Sequence, residues 1–123
     1  MSTTTQRGRP PSTETRIRRQ YAELLEEIGG GRIDFSPDEL AMIDFAVRIG
    51  QRIDLLAAAL AAEAGKPNPD PAALVRISAE MRASEKESML TSGRVRRGLE
   101  KTLAVADKPV TAVRVAGHNG GRR

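Results

Sequence analysis

The chain has 123 residues, a net charge of +4, no cysteine and 2% aromatic residues. A chain of this length makes one small domain with tails, and its core has to come from Leu, Ile, Val, Met and Ala. Without cysteine, disulfides and thiolate metal sites are excluded. The polar, basic start carries no secretory leader, and the longest apolar stretch, Leu55 to Ala62, is far too short to cross a bilayer. The expectation is a soluble protein of the cytoplasm. The net charge hides a pattern. Residues 1–20 carry +4, residues 21–93 carry −6 and residues 94–123 carry +6. Basic ends around an acidic middle suit a polyanionic partner.

Residues 1–11 are Ser/Thr-rich, then basic, then Pro-rich, and read as a disordered arm. Within it Arg7-Gly8-Arg9-Pro10 matches the core of an AT-hook, in which an extended Arg-Gly-Arg enters a narrow minor groove. An ordinary basic tail is the other reading, and both touch phosphate. The helical domain spans 12–92. Ser12 or Thr13 caps a first helix of about 13–28, and Ile17, Tyr21, Leu24, Leu25 and Ile28 form its apolar stripe. Arg16, Arg18 and Arg19 stand in its first turns, where they oppose the helix dipole. That placement suits either a continuation of the basic arm or a plain solvated polar face. Gly29-Gly30-Gly31-Arg32 lacks the Gly-Lys-Ser/Thr ending of a phosphate loop and reads as a C-cap and hinge.

Phe35-Ser36-Pro37-Asp38-Glu39-Leu40 is a strong helix start: a capping Ser, Pro at the first helical position, and Glu three residues after the cap. The second helix, about 37–64, spans roughly 45 Å at 1.5 Å per residue. Met42, Phe45, Ile49, Ile53, Leu56 and Leu60 form one stripe. Leu40, Ile43 and Val47 add a second apolar face in the first half, and Leu55, Ala58, Ala59 and Ala62 another in the second half. A helix apolar on two sides needs cover on two sides, so these last four residues are expected to form an oligomer interface. The turn from Lys66 to Pro71 leads into a third helix of about 71–92, completing an antiparallel hairpin. Leu74, Val75, Ile77, Met81, Met89 and Leu90 are expected on its apolar side, and its polar middle from Arg82 to Ser88 reads as a looser or more exposed pairing.

Residues 93–123 form a basic C-terminal segment. Gly93 and Gly98 interrupt the pattern, leaving a short helix at 98–105 and a strand at 110–115. His118, the one histidine, stands in a Gly-rich tail with no metal-ligand spacing. The acidic residues Asp34, Asp38, Glu39 and Asp44 suit a helix start and do not form a catalytic set. No enzyme activity and no cofactor are expected. The fold class is mainly α: an N-terminal helix and a long antiparallel helical hairpin between basic ends. The expected DNA-contacting residues are Arg7, Arg9, Arg16, Arg18, Arg19, Arg94, Arg96 and Arg97.

Asp38-Glu39-Leu40, the long helix to Leu60, the Asn68-Pro69 turn and the polar helix from Leu74 to Leu90 resemble phage terminase small subunits. The opening Gly8-Arg9-Pro10-Pro11 is similar to the start of many such proteins. The resemblance covers residues 8–92, and the C-terminal third lies outside it. It implies a ring-forming homo-oligomer that binds double-stranded viral DNA in the host cytoplasm and presents it to the terminase large subunit for genome packaging. One feature departs from that pattern: only one helix precedes the hairpin, so no helix-turn-helix is available. DNA contact then falls to the basic ends and the ring surface. The competing expectation is an AT-hook-like regulatory or nucleoid-associated protein built on a dimeric hairpin.

Overall fold

In a computed structural model, which describes residues 9–107, the chain forms three α-helices: α1 (Thr13–Gly29), α2 (Pro37–Ala64) and α3 (Pro71–Ala106). Each helix begins where the local chemistry supplies a cap. The Ser12 hydroxyl accepts from the Thr15 N–H at 3.1 Å. Ser36 and Glu39 complete the capping box, with the Glu39 N–H donating to the Ser36 hydroxyl at 3.2 Å and the Ser36 N–H donating to the Glu39 carboxylate at 2.9 Å. Asp70 accepts from the Ala72 N–H at 3.1 Å, with Pro71 at the first helical position. Gly30 ends α1 in the left-handed region, φ 55°, which a residue with a Cβ adopts only at a cost.

The α2–α3 hairpin is tied at its turn by Glu63, whose carboxylate accepts from Lys66 at 2.8 Å and from the Asp70 N–H at 2.9 Å. Helix α1 packs on the open end of the hairpin only. It runs antiparallel to α2, with Ile17 against Gly50, the Thr13 hydroxyl donating to Asp54, and Arg18 paired with Asp44 at 2.9 Å. It runs parallel to α3, with Glu27 beside Arg96 and, just past its end, Arg32 paired with Asp107 at 2.8 Å. The core lies where all three helices meet: Ile17, Tyr21, Ile43, Ala46, Val47, Val95 and Leu99, edged by Leu24, Leu25, Ile28, Ile33, Phe35 and Met42. Burial of each large aliphatic side chain there is worth about 1.5–3 kcal/mol.

Helix α1 starts level with Asp54, so the second half of α2 has α3 on one side and no third helix among the described residues. Ile53, Leu56 and Leu60 are half-buried, while Leu55 is 72% exposed and Ala58, Ala59 and Ala62 are exposed. The two apolar faces of α2 are therefore covered unequally. In the face of Leu40, Ile43 and Val47, the last two are buried in the three-helix core while Leu40 is 49% exposed, and the face with Leu55 is open.

Two expectations for the third helix are corrected. Gly93 and Gly98 do not interrupt it, and no separate helix starts at 98: α3 is continuous to Ala106, so the helical domain extends beyond residue 92. The two glycines are held in the helix by what flanks them. Val95 and Leu99 are completely buried, and Gly98 leaves the room that the Glu39 carboxylate occupies. The buried seam also differs. Leu74, Ile77 and Met81 are half-buried as expected, but Val75, Met89 and Leu90 are exposed, and the fully buried positions are Ala73, Ser84, Thr91, Val95 and Leu99. The polar middle is largely exposed, at Arg82, Ala83, Glu85, Lys86 and Glu87, with Ser84 its one buried residue. The Thr91 hydroxyl satisfies itself on the Glu87 carbonyl at 2.9 Å, and small residues let the helices approach closely. Residues 1–8 and 108–123, including Arg7 and the expected strand at 110–115, lie outside the described residues.

Candidate nucleic-acid interface and assembly surface

The expected DNA-contacting arginines fall into two states. Arg18 bridges Glu14 at 2.8 Å and Asp44 at 2.9 Å, and these two carboxylates hold its guanidinium above its ordinary value, Glu14 foremost. Arg18 thus fastens α1 to α2, which gives the cation near the helix start a structural role. Arg96 leans toward Glu27 at 3.9 Å. Arg9, Arg16, Arg19, Arg94 and Arg97 are exposed and make no ion pair among the described residues. They do not converge on one spot. Arg9, Arg16 and Arg19 stand at the start of α1, and Arg94 and Arg97 stand on α3, next to Arg96 and nearer the end of α1.

Guanidinium groups in this state can reach phosphate oxygens without first breaking an internal pair. Exposed acids interrupt the basic surface along α1, since Glu23, Glu26 and Glu27 follow the arginines. The four positions named as an assembly surface, Leu55, Ala58, Ala59 and Ala62, all face outward on the far half of α2.

Two grooves flank α3. One, about 380 Å³, lies against α1 and is walled by Tyr21, Leu24, Met89, Ser92 and Arg96. Burial pushes the Tyr21 phenol up, and a hydrogen bond with Ser92 works in the other direction. The other groove, about 650 Å³, lies between α2 and α3. Its wall from α2 carries Phe45, Arg48, Arg52 and Leu55, with the Arg48 guanidinium 5.8 Å from the Phe45 ring centre. Its wall from α3 carries Glu80 and Glu87. Arg48 and Arg52 belong to no apolar stripe of α2. The spacing 45, 48, 52, 55 is the signal that they share a face with two apolar residues.

No group of three or more His, Cys, Asp or Glu side chains that could hold a metal ion is present among the described residues. No helix among them is long and apolar enough to cross a membrane. Glu39, the buried member of the acidic cluster, is committed to its capping box. Comparison with protein-family models, with curated proteins and with solved structures gives no match for this chain.

Proposed function

We propose that the chain is a DNA-binding, self-assembling adaptor of the terminase small subunit kind. In this reading it assembles as a ring, binds double-stranded viral DNA, and presents that DNA to a terminase large subunit for packaging. The observation that carries the reading is the half-covered hairpin. Helix α1 packs on one half, and the other half offers Leu55, Ala58, Ala59 and Ala62 to a neighbour. Exposed apolar surface on a small helical hairpin is best offset by another subunit. The exposed arginines support the nucleic-acid half of the reading, because each guanidinium that neutralises a phosphate releases counterions from duplex DNA.

The test combines two measurements on the full chain. Its mass in solution should be that of a discrete oligomer. Its affinity for duplex DNA should fall linearly with the logarithm of salt concentration. A strict monomer removes the ring, and no binding at low salt removes the DNA role.

A further inference from the structure

The groove between α2 and α3 carries opposite charges on its two walls. Arg48 and Arg52 lie on α2, Glu80 and Glu87 lie on α3, and Phe45 and Leu55 stand among them. Phe45 is 37% exposed and Leu55 is 72% exposed, so the apolar part of this face is uncovered. The helices are antiparallel, and Arg52 is level with Glu80, 3.8 Å away within the chain.

We infer that this groove receives the same groove of a second copy, related by a two-fold axis running along the helices. That operation keeps axial level and exchanges the two walls. Arg52 then meets the other copy's α3 at the level of Glu80, and Arg48 meets it near Glu87. Each α2 lies antiparallel to the α3 above it, which makes a four-helix bundle with every neighbour antiparallel. The pattern is self-complementary, as an isologous contact requires. A copy turned the other way would set α2 on α2 and face arginine with arginine. Phe45 and Leu55 flank the arginine pair along α2 and supply the apolar contact at either end of it. The inference rests on the reading of the chain as a homo-oligomer and specifies one of its contacts. Its consequence is an even number of copies.

Charge reversal tests it. Arg48→Glu with Arg52→Glu makes both walls acidic, and Glu80→Arg with Glu87→Arg makes both walls basic. Each variant alone is expected to self-associate at least tenfold more weakly than the wild type, by sedimentation or native mass spectrometry. An equimolar mixture of the two is expected to recover association, as one-to-one pairs of the acidic and basic variants. Recovery on mixing cannot come from a misfolded subunit or from the internal Arg52–Glu80 pair. A mixture that stays apart, or a wild-type assembly with an odd number of copies, overturns the contact. Wild-type assembly that both variants retain also overturns it, while leaving the oligomer reading intact. A wild-type chain that remains monomeric removes both.

Discussion

Glu39 is 4% exposed, and its carboxylate is fixed by the Ser36 N–H at 2.9 Å on one side and by the absence of a side chain at Gly98 on the other. A methyl group at position 98 would collide with that carboxylate, so Gly98→Ala is expected to cost about 1–3 kcal/mol of folding stability in urea titration. Gly93→Ala is the informative contrast. The nearest atom to a Cβ there is the far end of the Arg97 side chain, which can move. Gly93→Ala is therefore expected to leave stability unchanged or raise it by up to about 1 kcal/mol. The two glycines look alike in the sequence, where both suggest a helix break. They differ only through Glu39, a residue far away in the chain, and helical periodicity carries no information about that contact. The capping box, by contrast, was readable because all its atoms come from neighbouring residues.

Glu63 gives a pH dependence of definite sign. Lys66, first, and the Asp70 N–H hold its carboxyl below the usual carboxylate range. A depressed folded value means that the contribution is present at neutral pH and lost as pH falls through that value. The turn contacts should therefore loosen only on the acid side of the ordinary carboxylate range. The exchange rate of the Asp70 amide, followed by NMR as the pH is lowered, checks this. Glu63→Gln should speed that exchange already at neutral pH, and an Asp70 amide indifferent to both changes would contradict the assignment.

At the scale of the elements, α2 serves two environments along one length. Its first half is packed by α1 and the end of α3, and its second half is packed by the start of α3 alone. Truncations should divide the same way. Leu99→Ala, in the three-helix core, is expected to cost about 2–5 kcal/mol in urea unfolding. Leu55→Ala should change the subunit's own stability by no more than about 0.5 kcal/mol, while weakening self-association measured by sedimentation. Phe45 and Leu40 in the α2 patterns are exposed. The α2 stripe was otherwise legible at Met42, Ile49, Ile53, Leu56 and Leu60, and the second face at Ile43 and Val47, from apolar residues at helical spacing. The α3 seam was not. Three of its five buried positions are small or hydroxylated, Ala73, Ser84 and Thr91, and its apolar residues Val75 and Met89 point outward. A buried threonine that satisfies its hydroxyl on its own helix looks polar in the sequence and behaves as core in the fold.

At the scale of the whole molecule, the exposed arginines lie in two groups, Arg16 and Arg19 on the first turns of α1 and Arg94 and Arg97 on the second half of α3. The arginine pattern was visible in the sequence. Its division into tethered and available groups was not, because the partners of Arg18 and Arg96 include Asp44 on α2 and Glu27 on α1, set by packing. Arg18→Ala should consequently act on the α1–α2 contact as well as on any DNA affinity. Arg16, Arg19, Arg94 and Arg97 should act on DNA affinity alone. The most direct test of the account follows from that difference. Duplex affinity is measured across a series of salt concentrations for the wild type and for a variant with alanine at positions 16, 19, 94 and 97. The account predicts that the wild type binds with a steep salt dependence. It also predicts that the variant, still helical, loses affinity and that the slope of log K against log salt shrinks by up to about 3.6 per subunit contacting the duplex, about 0.9 for each phosphate contact removed. A wild type that does not bind duplex DNA at low salt, or a variant whose affinity and slope match the wild type, would contradict it.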